Sequence, residues 1–181
     1  MLQTNSELVY AFPSHCRNEV ASLAGALPKP DLTAHSFSAL VDGEEVRIPY
    51  RIYLDVSQID RAPLNMTQIE ILDCLLTRHH DGYVREEYLK KILGRNQSWI
   101  PPFVIRLLGE YVIEILNLIR DGLDLIDHDL YRTFLLANPE FFQITKQRVF
   151  SYRACYYATF KRNNYVGFEI VNFLDGLVKS K

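Results

Sequence analysis

WIPPFVIRLLGEYVIEILNLIRD, from Trp99 to Asp121, is the most strongly patterned part of the chain. Ser98 stands where a helix cap would, and Pro101 and Pro102 suit a first helical turn, where the missing N–H costs nothing. At about 100° per residue, the apolar side chains cover roughly two-thirds of the circumference of such a helix. These side chains are Val104, Ile105, Leu107, Leu108, Tyr111, Val112, Ile115, Leu116, Leu118 and Ile119. A helix that is apolar over so wide an arc needs neighbours on several sides. The stretch therefore predicts a mainly α fold, a compact helical bundle around one central helix.

The rest of this predicted helix is a polar stripe, made of Arg106, Glu110, Glu114, Asn117 and Asp121. Glu110 and Glu114 lie one turn apart, a spacing at which two carboxylates can hold a metal ion or share a proton. The Glu-x-x-His pairs of carboxylate-bridged metal bundles are missing, however. This favours a solvated face on which Arg106 offsets one carboxylate. Gly109, inside the helix, is interpreted as a point where another backbone crosses closely.

Length and composition indicate one domain with a substantial core. The chain has 181 residues, is 48% hydrophobic and carries a formal net charge of −2, which argues against a general nucleic-acid coat. No secretory signal and no membrane-spanning run of about 20 apolar residues is visible in it. Its three cysteines, Cys16, Cys74 and Cys155, are far apart and form neither a disulfide framework nor a zinc motif. We therefore expect a cytoplasmic protein without a membrane partner.

A β-hairpin is predicted ahead of the bundle. Two alternating runs flank Asp42-Gly43, a dipeptide typical of two-residue hairpin turns, in which both residues have positive φ. This turn pairs Ala39 with Val46 and Phe37 with Ile48, so that the apolar side chains share one face. A lone hairpin is marginal in water. The apolar face should therefore dock on the helices or on a second copy of the chain.

The predicted organisation has three parts within a single domain. Residues 1–32 form an N-terminal segment with a possible short helix after Ser14, residues 33–55 the hairpin, and residues 65–181 the helical bundle. A capping box of Thr67 and Glu70 opens the first bundle helix. Asp81 caps a second helix, which Gly94 stops. Further helices are predicted from about Asp127 to Ala137, from Pro139 to Asn163-Asn164, and through Val166 to Leu177, making six or seven in total.

The sharpest polar cluster is His79-His80-Asp81, at the corner between two predicted helices. The two imidazoles could bind a metal ion with Asp81 as a further ligand, or serve catalysis, with Glu110 as a possible additional group. The alternative is that one imidazole bonds a carbonyl at the helix end while Asp81 is only a cap. Adjacent histidines rarely reach one ion together, so the capping interpretation is favoured.

A second cluster combines cations with aromatic side chains between residues 146 and 162. Such a surface can hold single-stranded nucleic acid, because bases stack on aromatic rings while cations contact phosphates. The alternative is that the aromatic residues are core and the cations form a solubilising face. The candidates for nucleic-acid binding are Lys146, Arg148, Arg153, Lys161, Arg162, Tyr152 and Tyr156.

The segments TRHHDGYVRE, PPFVIRLLGEYVIEIL and NPEFFQITKQRVFSY resemble a family of uncharacterised bacterial proteins. The resemblance covers roughly Ser36 to Tyr157. It implies a bacterial cytosolic setting and transfers no catalytic residue.

No nucleophile elbow, phosphate-binding loop, dinucleotide motif or metalloprotease motif is present, so the sequence leans against an enzyme and predicts no cofactor. The leading hypothesis is a non-enzymatic interaction or scaffold protein that self-associates as a homo-oligomer. The alternatives are a nucleic-acid-associated module using helix 146–162 and a metal-dependent enzyme at His79-His80-Asp81.

Overall fold

The structure is a computed structural model, and it describes residues 5–33, 35–158 and 165–179. The chain is mainly α with a small β element ahead of most of its helices, which confirms the predicted fold class. It groups into two compact units, Met1–Ile92 and Leu93–Lys181, called unit 1 and unit 2 below. Predicted segments 1–32 and 33–55 both belong to unit 1, which also holds the first two helices of segment 65–181.

Unit 1 contains three α-helices, four short strands and three 3-10 helices among its described residues. In chain order these are a 3-10 helix Asn5–Ala11, a 3-10 helix Ser14–Cys16, α1 Arg17–Ala26, β1 Asp31–Leu32, β2 Ser36–Val41, β3 Glu44–Pro49, β4 Ile52–Tyr53, a 3-10 helix Val56–Gln58, α2 Met66–Leu76 and α3 Gly82–Ile92. Helix α1 packs against the first 3-10 helix and α2, and α2 packs against α3. The short helix predicted after Ser14 is therefore present as α1.

The hairpin forms in the predicted register. Strands β2 and β3 pair antiparallel with Phe37 opposite Ile48 and Ala39 opposite Val46. Asp42 and Gly43 have φ of 53° and 79°, the positive values that a turn of this kind requires. The inward side chains Ala39, Val46 and Ile48 are all buried within the single chain. The apolar face of the hairpin therefore needs no second copy to cover it.

A second strand pair, which was not predicted from the sequence, joins the segments before and after the hairpin. Strand β1 pairs antiparallel with β4, joining Asp31 to Tyr53 and Leu32 to Ile52. Two-residue strands carry too little alternation to be predicted from pattern. The pair brings β4 next to the end of α2, where Ile52 forms a parallel bridge with His79.

Helix α2 is capped two residues earlier than predicted. The capping box is made by Asn65 and Gln68, whose side chains each bond the other residue's backbone N–H, and not by Thr67 and Glu70. In a capping box, the capping residue is followed three positions later by Glu or Gln, and both pairs fit this pattern. The sequence alone therefore did not distinguish them. Asp81 does cap α3, since its Oδ1 accepts the N–H of Tyr83 at 2.8 Å.

Unit 2 contains five helices among its described residues: α4 Ile100–Leu108, α5 Ile113–Asp121, α6 His128–Ala137, α7 Pro139–Tyr156 and α8 Val166–Lys179. Helix α8 packs against α5, α6 and α7, and α4 packs against α5, α6 and α7. The starts of α6 after Asp127 and of α7 at Pro139 are as predicted. Helix α7 ends at Tyr156, earlier than the predicted break at Asn163-Asn164, which lies outside the described residues. In the described part of the chain, none of the helices has the length and apolar character needed to cross a membrane.

The prediction of one central helix from Trp99 to Asp121 is wrong. The stretch forms two helices, because α4 ends before Gly109 and the chain is extended at Val112 (φ −83°, ψ 107°) before α5 begins. A Cβ on Gly109 would lie 3.0 Å from Cδ of Arg148, so a side chain, not a crossing backbone, packs closely there. The wide apolar arc belongs to two short helices: α4 is buried along its whole length, and α5 buries Ile115, Leu116 and Ile119.

The break also changes the environment of the predicted polar stripe. Arg106 and Glu110 are buried, with 4% and 6% of their surface exposed, so they do not lie on a solvated face. Glu114 and Asp121 are exposed, as expected. Tyr111, predicted to be core, lies in the break and is 54% exposed.

Candidate functional site

The corner at the end of α2 is held by backbone bonds to β4 and by one arginine from α3. The N–H of Ile52 donates to the carbonyl of Arg78 at 2.9 Å, and the N–H of His80 donates to the carbonyl of Ile52 at 3.0 Å. Nη1 of the buried Arg85 donates to the carbonyls of His79 and His80 at 2.9 and 2.8 Å. These carbonyls lie between α2 and α3, outside either helix, so the guanidinium satisfies them and offsets their partial negative charge.

His79, in this corner, is buried and uses both ring nitrogens. The N–H of Asp81 donates to Nδ1 at 3.1 Å, which requires Nδ1 to be unprotonated. We therefore assign the proton to Nε2, which donates to the carbonyl of Leu54 at 2.8 Å. A neutral imidazole bonded on both sides holds α2, α3 and the segment after β4 together. It leaves no open nitrogen for a metal ion.

The neighbours of His79 have structural contacts of their own. The ring of His80 stacks on Tyr53 at 4.8 Å between centroids and 17° between planes, while Asp81 caps α3. Within the described ranges, no group of three or more His, Cys, Asp and Glu residues could hold a metal ion. Glu110, the further group suggested for this site, belongs to unit 2. The contacts of this corner therefore connect the end of α2 with the start of α3 and with β4.

Burial lowers the pKa of His79 below its ordinary value of 6.5, and the nearby His80 and Arg85 lower it further, against the opposing effects of the Leu54 carbonyl and Asp81. The unfolded chain therefore binds a proton on this ring before the folded chain does. The stability that comes from a neutral His79 is complete above pH 6.5 and is lost as the pH falls from 6.5 through the folded-state pKa.

Urea unfolding at a series of pH values between about 7.5 and 5 should show this decrease in the free energy of unfolding. His79→Gln removes this ring. The decrease in the free energy of unfolding that the ring causes between these pH values should therefore disappear. The exposed His35, changed to Gln, serves as the matched control and should leave the profile unchanged. An identical pH profile in His79→Gln and the parent protein would contradict the assignment.

The break between α4 and α5 in unit 2 contains buried charges. Burial lowers the pKa of Arg106 to about 10, and the neighbouring cation Arg148 acts in the same direction, whereas Glu110 opposes it. Arg148 also packs its aliphatic stem on Gly109. Arg106 therefore interacts electrostatically with Arg148 and with Glu110, which directly precedes Tyr111 in the break.

A partly exposed aromatic group, called the tyrosine surface below, is formed by Tyr111, Tyr152 and Tyr156. Ring centroids lie 5.4 Å apart for Tyr111 and Tyr156, 5.8 Å for Tyr152 and Tyr156, and 6.0 Å for Tyr111 and Tyr152. Tyr111 is 54% and Tyr156 63% exposed. The hydroxyl of Tyr157 donates to the carbonyl of Tyr111, which fixes the break against the end of α7.

The tyrosine surface continues a buried stripe of α7. Phe142, Thr145 and Val149 are buried along one side of this helix. At helical spacing Tyr152 and Tyr156 extend the same side, but there they are half-buried and exposed respectively. Among the described residues, the apolar stripe of α7 therefore continues past the part of the helix that is buried.

Of the three candidate cations for nucleic-acid binding that the structure describes, Lys146 and Arg148 contact other residues of unit 2. Lys146 forms an ion pair with Asp175 at 3.0 Å and lies 4.5 Å from the ring centre of Phe142. Arg148 packs on Gly109, and Arg153 is half-buried next to Tyr152 in α7. The candidates Lys161 and Arg162 lie outside the described residues. The structure thus brings Tyr152 and Tyr156 together, and it leaves few accessible cations beside them in the part it describes.

Sequence reasoning missed Tyr111 as part of this surface. Counted around a single helix, Tyr111 falls on the apolar face, and only the break after α4 turns it outward. Gly109 was the available signal, since a glycine inside a helical pattern costs about 1 kcal/mol relative to alanine and can mark the end of a helix.

Comparison of the chain with protein-family models, with curated proteins and with solved structures finds no match.

Proposed function

We propose that this chain is a non-enzymatic interaction protein that self-associates through the tyrosine surface. The observation that carries the proposal is the exposure of three clustered tyrosines at the end of α7, two of them more than half exposed. Tyrosine and arginine are enriched in the energetically important parts of interfaces, because they combine a large apolar area with hydrogen-bonding groups. The buried hairpin face gives the proposal no support, so it depends on unit 2.

A second copy of the chain suits this surface because the surface is complementary to itself. A twofold contact places the same patch on both protomers, which is unfavourable for a patch of one charge and favourable for aromatic rings. Charges of both signs occur near this part of the chain: Arg153 follows Tyr152 in the sequence, and burial together with the exposed Glu114 raises the pKa of Tyr157.

The size of the surface indicates a weak complex. A tyrosine contributes about 150–250 Å² when fully covered, so three partly exposed tyrosines offer about 300 Å² per protomer. A standard stable interface needs about 800 Å² per partner. We therefore expect a weak complex with a dissociation constant on the order of 10–100 µM.

Tyr156→Ala should weaken self-association at least tenfold, because it removes the most exposed ring of the three. Sedimentation velocity between about 5 and 500 µM protein gives the dissociation constant. The matched control is Tyr83→Ala, which removes a tyrosine that is 84% exposed on α3 and lies outside the tyrosine surface. A parent protein that stays at the single-chain mass of 21.1 kDa throughout this range would contradict the proposal.

The exposed Cys155 gives an independent readout. It precedes Tyr156 in α7, whereas Cys16 and Cys74 are buried. A short bis-maleimide should link two chains through Cys155, less efficiently in Tyr156→Ala and not at all in Cys155→Ser. If a labelled single-stranded oligonucleotide binds instead, and Arg153→Glu abolishes that binding without any dimer forming, the nucleic-acid alternative replaces this proposal.

A further inference from the structure

Unit 1 contains an open cavity of about 260 Å³ between its first 3-10 helix and the hairpin. Its apolar lining comes from Leu8, Leu32 and Pro49, of which Leu8 and Pro49 are buried. Pro49 is opposite Ser36 at the open end of the hairpin, where the ladder stops and a small side chain leaves room. Ligand cavities commonly measure about 300–1,000 Å³, so this one suits only a small molecule.

Two opposite charges also line the cavity. The negative charge is Glu7, which comes from the 3-10 helix, and the positive charge is Arg47, which comes from β3. Tyr10 also lines the cavity, because residues three apart in a 3-10 helix lie on the same side. Among the described residues, no ion pair joins Glu7 to Arg47, although both line the same space. Arg47 instead places its Nε 3.8 Å from Glu45, and both side chains are more than half exposed. Such a contact is weak, so it does not prevent the guanidinium from binding another anion.

We propose that this cavity binds a small zwitterion of the α-amino-acid class. A carboxylate fits the guanidinium of Arg47, which offers paired N–H donors in a plane, and an ammonium group fits the carboxylate of Glu7. A short aliphatic side chain then contacts Leu8, Leu32 and Pro49. A molecule with both charges joins two groups that do not reach each other, which a simple anion or amine does not do. This proposal depends on unit 1 alone and is independent of self-association.

Ligand-observed NMR on the full chain tests the proposal with L-valine as the probe. We expect saturation transfer to its methyl groups and a dissociation constant of about 1 mM, since the charged groups remain partly solvated. Isovalerate lacks the ammonium group of valine and isobutylamine lacks its carboxylate. Each should bind at least tenfold more weakly than valine.

Variants locate the binding in the cavity. Arg47→Gln and Glu7→Gln should each weaken valine binding at least tenfold, and Glu7→Gln should also abolish the preference for valine over isovalerate. Glu45→Gln is the matched control on the same strand. It should keep or strengthen binding, because it removes the competing carboxylate while its amide oxygen can still accept the Ser38 hydroxyl. Circular dichroism and thermal unfolding establish that each variant is folded.

Two results with the parent protein would overturn the proposal. One is the absence of saturation transfer from valine at about 20 mM. The other is equal binding of valine and isovalerate to the parent protein, because the ammonium group, which Glu7 is proposed to bind, would then contribute nothing to affinity. Equal weakening by Glu45→Gln and Arg47→Gln would likewise move the site away from the cavity.

Discussion

Gly167→Ala should destabilise the protein by about 2 kcal/mol, although replacing a helical glycine by alanine is usually favourable. A Cβ at this position in α8 would lie 2.7 Å from Cε1 of Tyr165 and 2.9 Å from Cγ1 of Val149. Both neighbours are completely buried, so neither has free space into which to move. The added methyl group must therefore displace packed atoms of α7 and of Tyr165, which directly precedes α8.

The same helix provides the matched control for this prediction. No atom lies within 4 Å of the position that a Cβ would take on Gly176. Gly176→Ala should therefore stabilise the protein by about 0.5–1 kcal/mol through backbone entropy. Chemical denaturation of the two variants should give shifts of opposite sign. Stabilisation by Gly167→Ala would show that the core around Tyr165 is loosely packed.

Arg85→Met should cost about 3 kcal/mol of unfolding free energy. Methionine preserves much of the apolar stem, but it removes two charge-assisted hydrogen bonds, each worth about 1.5–3 kcal/mol, and leaves the carbonyls of His79 and His80 unsatisfied. Arg85→Lys should lose less, since it keeps the charge while lacking the planar fork of donors. Urea unfolding at neutral pH measures all of these differences.

Arg120→Met is the comparison for an arginine that is accessible to water. Arg120 forms an ion pair with Asp121 at 2.8 Å, but its side chain is 40% exposed. Its replacement should change stability by less than about 1 kcal/mol. If Arg85→Met has an effect as small as that of Arg120→Met, the guanidinium does not secure the corner.

Features determined by neighbouring residues were predictable from the sequence. The Asp42-Gly43 turn fixes the hairpin register because positive φ at both positions allows one pairing of the flanking strands. The starts of α6 and α7 follow from Asp127 and from Pro139, whose effects are equally local. Each of these signals acts within a few residues of the structure that it specifies.

Features determined by distant residues were not predictable. Apolar periodicity between Trp99 and Asp121 fits one helix or two, and the choice involves Gly109 packing against Arg148, which lies far along the chain. The polar corner was predicted from the sequence. The neutral state of His79, with a hydrogen bond at each ring nitrogen, depends on the distant carbonyl of Leu54. The tyrosine surface was not predictable either, because the break after α4 exposes Tyr111 and the fold brings α7 beside it.

The nested strand pairing of unit 1 has a consequence for the order in which the chain assembles. The β1–β4 pair encloses the hairpin, and the hairpin encloses the two-residue turn at Asp42-Gly43. A formed hairpin shortens the free loop between β1 and β4, which reduces the entropy lost when these strands pair, whereas the loop from Ile52 to His79 contains neither pair. We infer that the hairpin forms before the β1–β4 pair when unit 1 assembles.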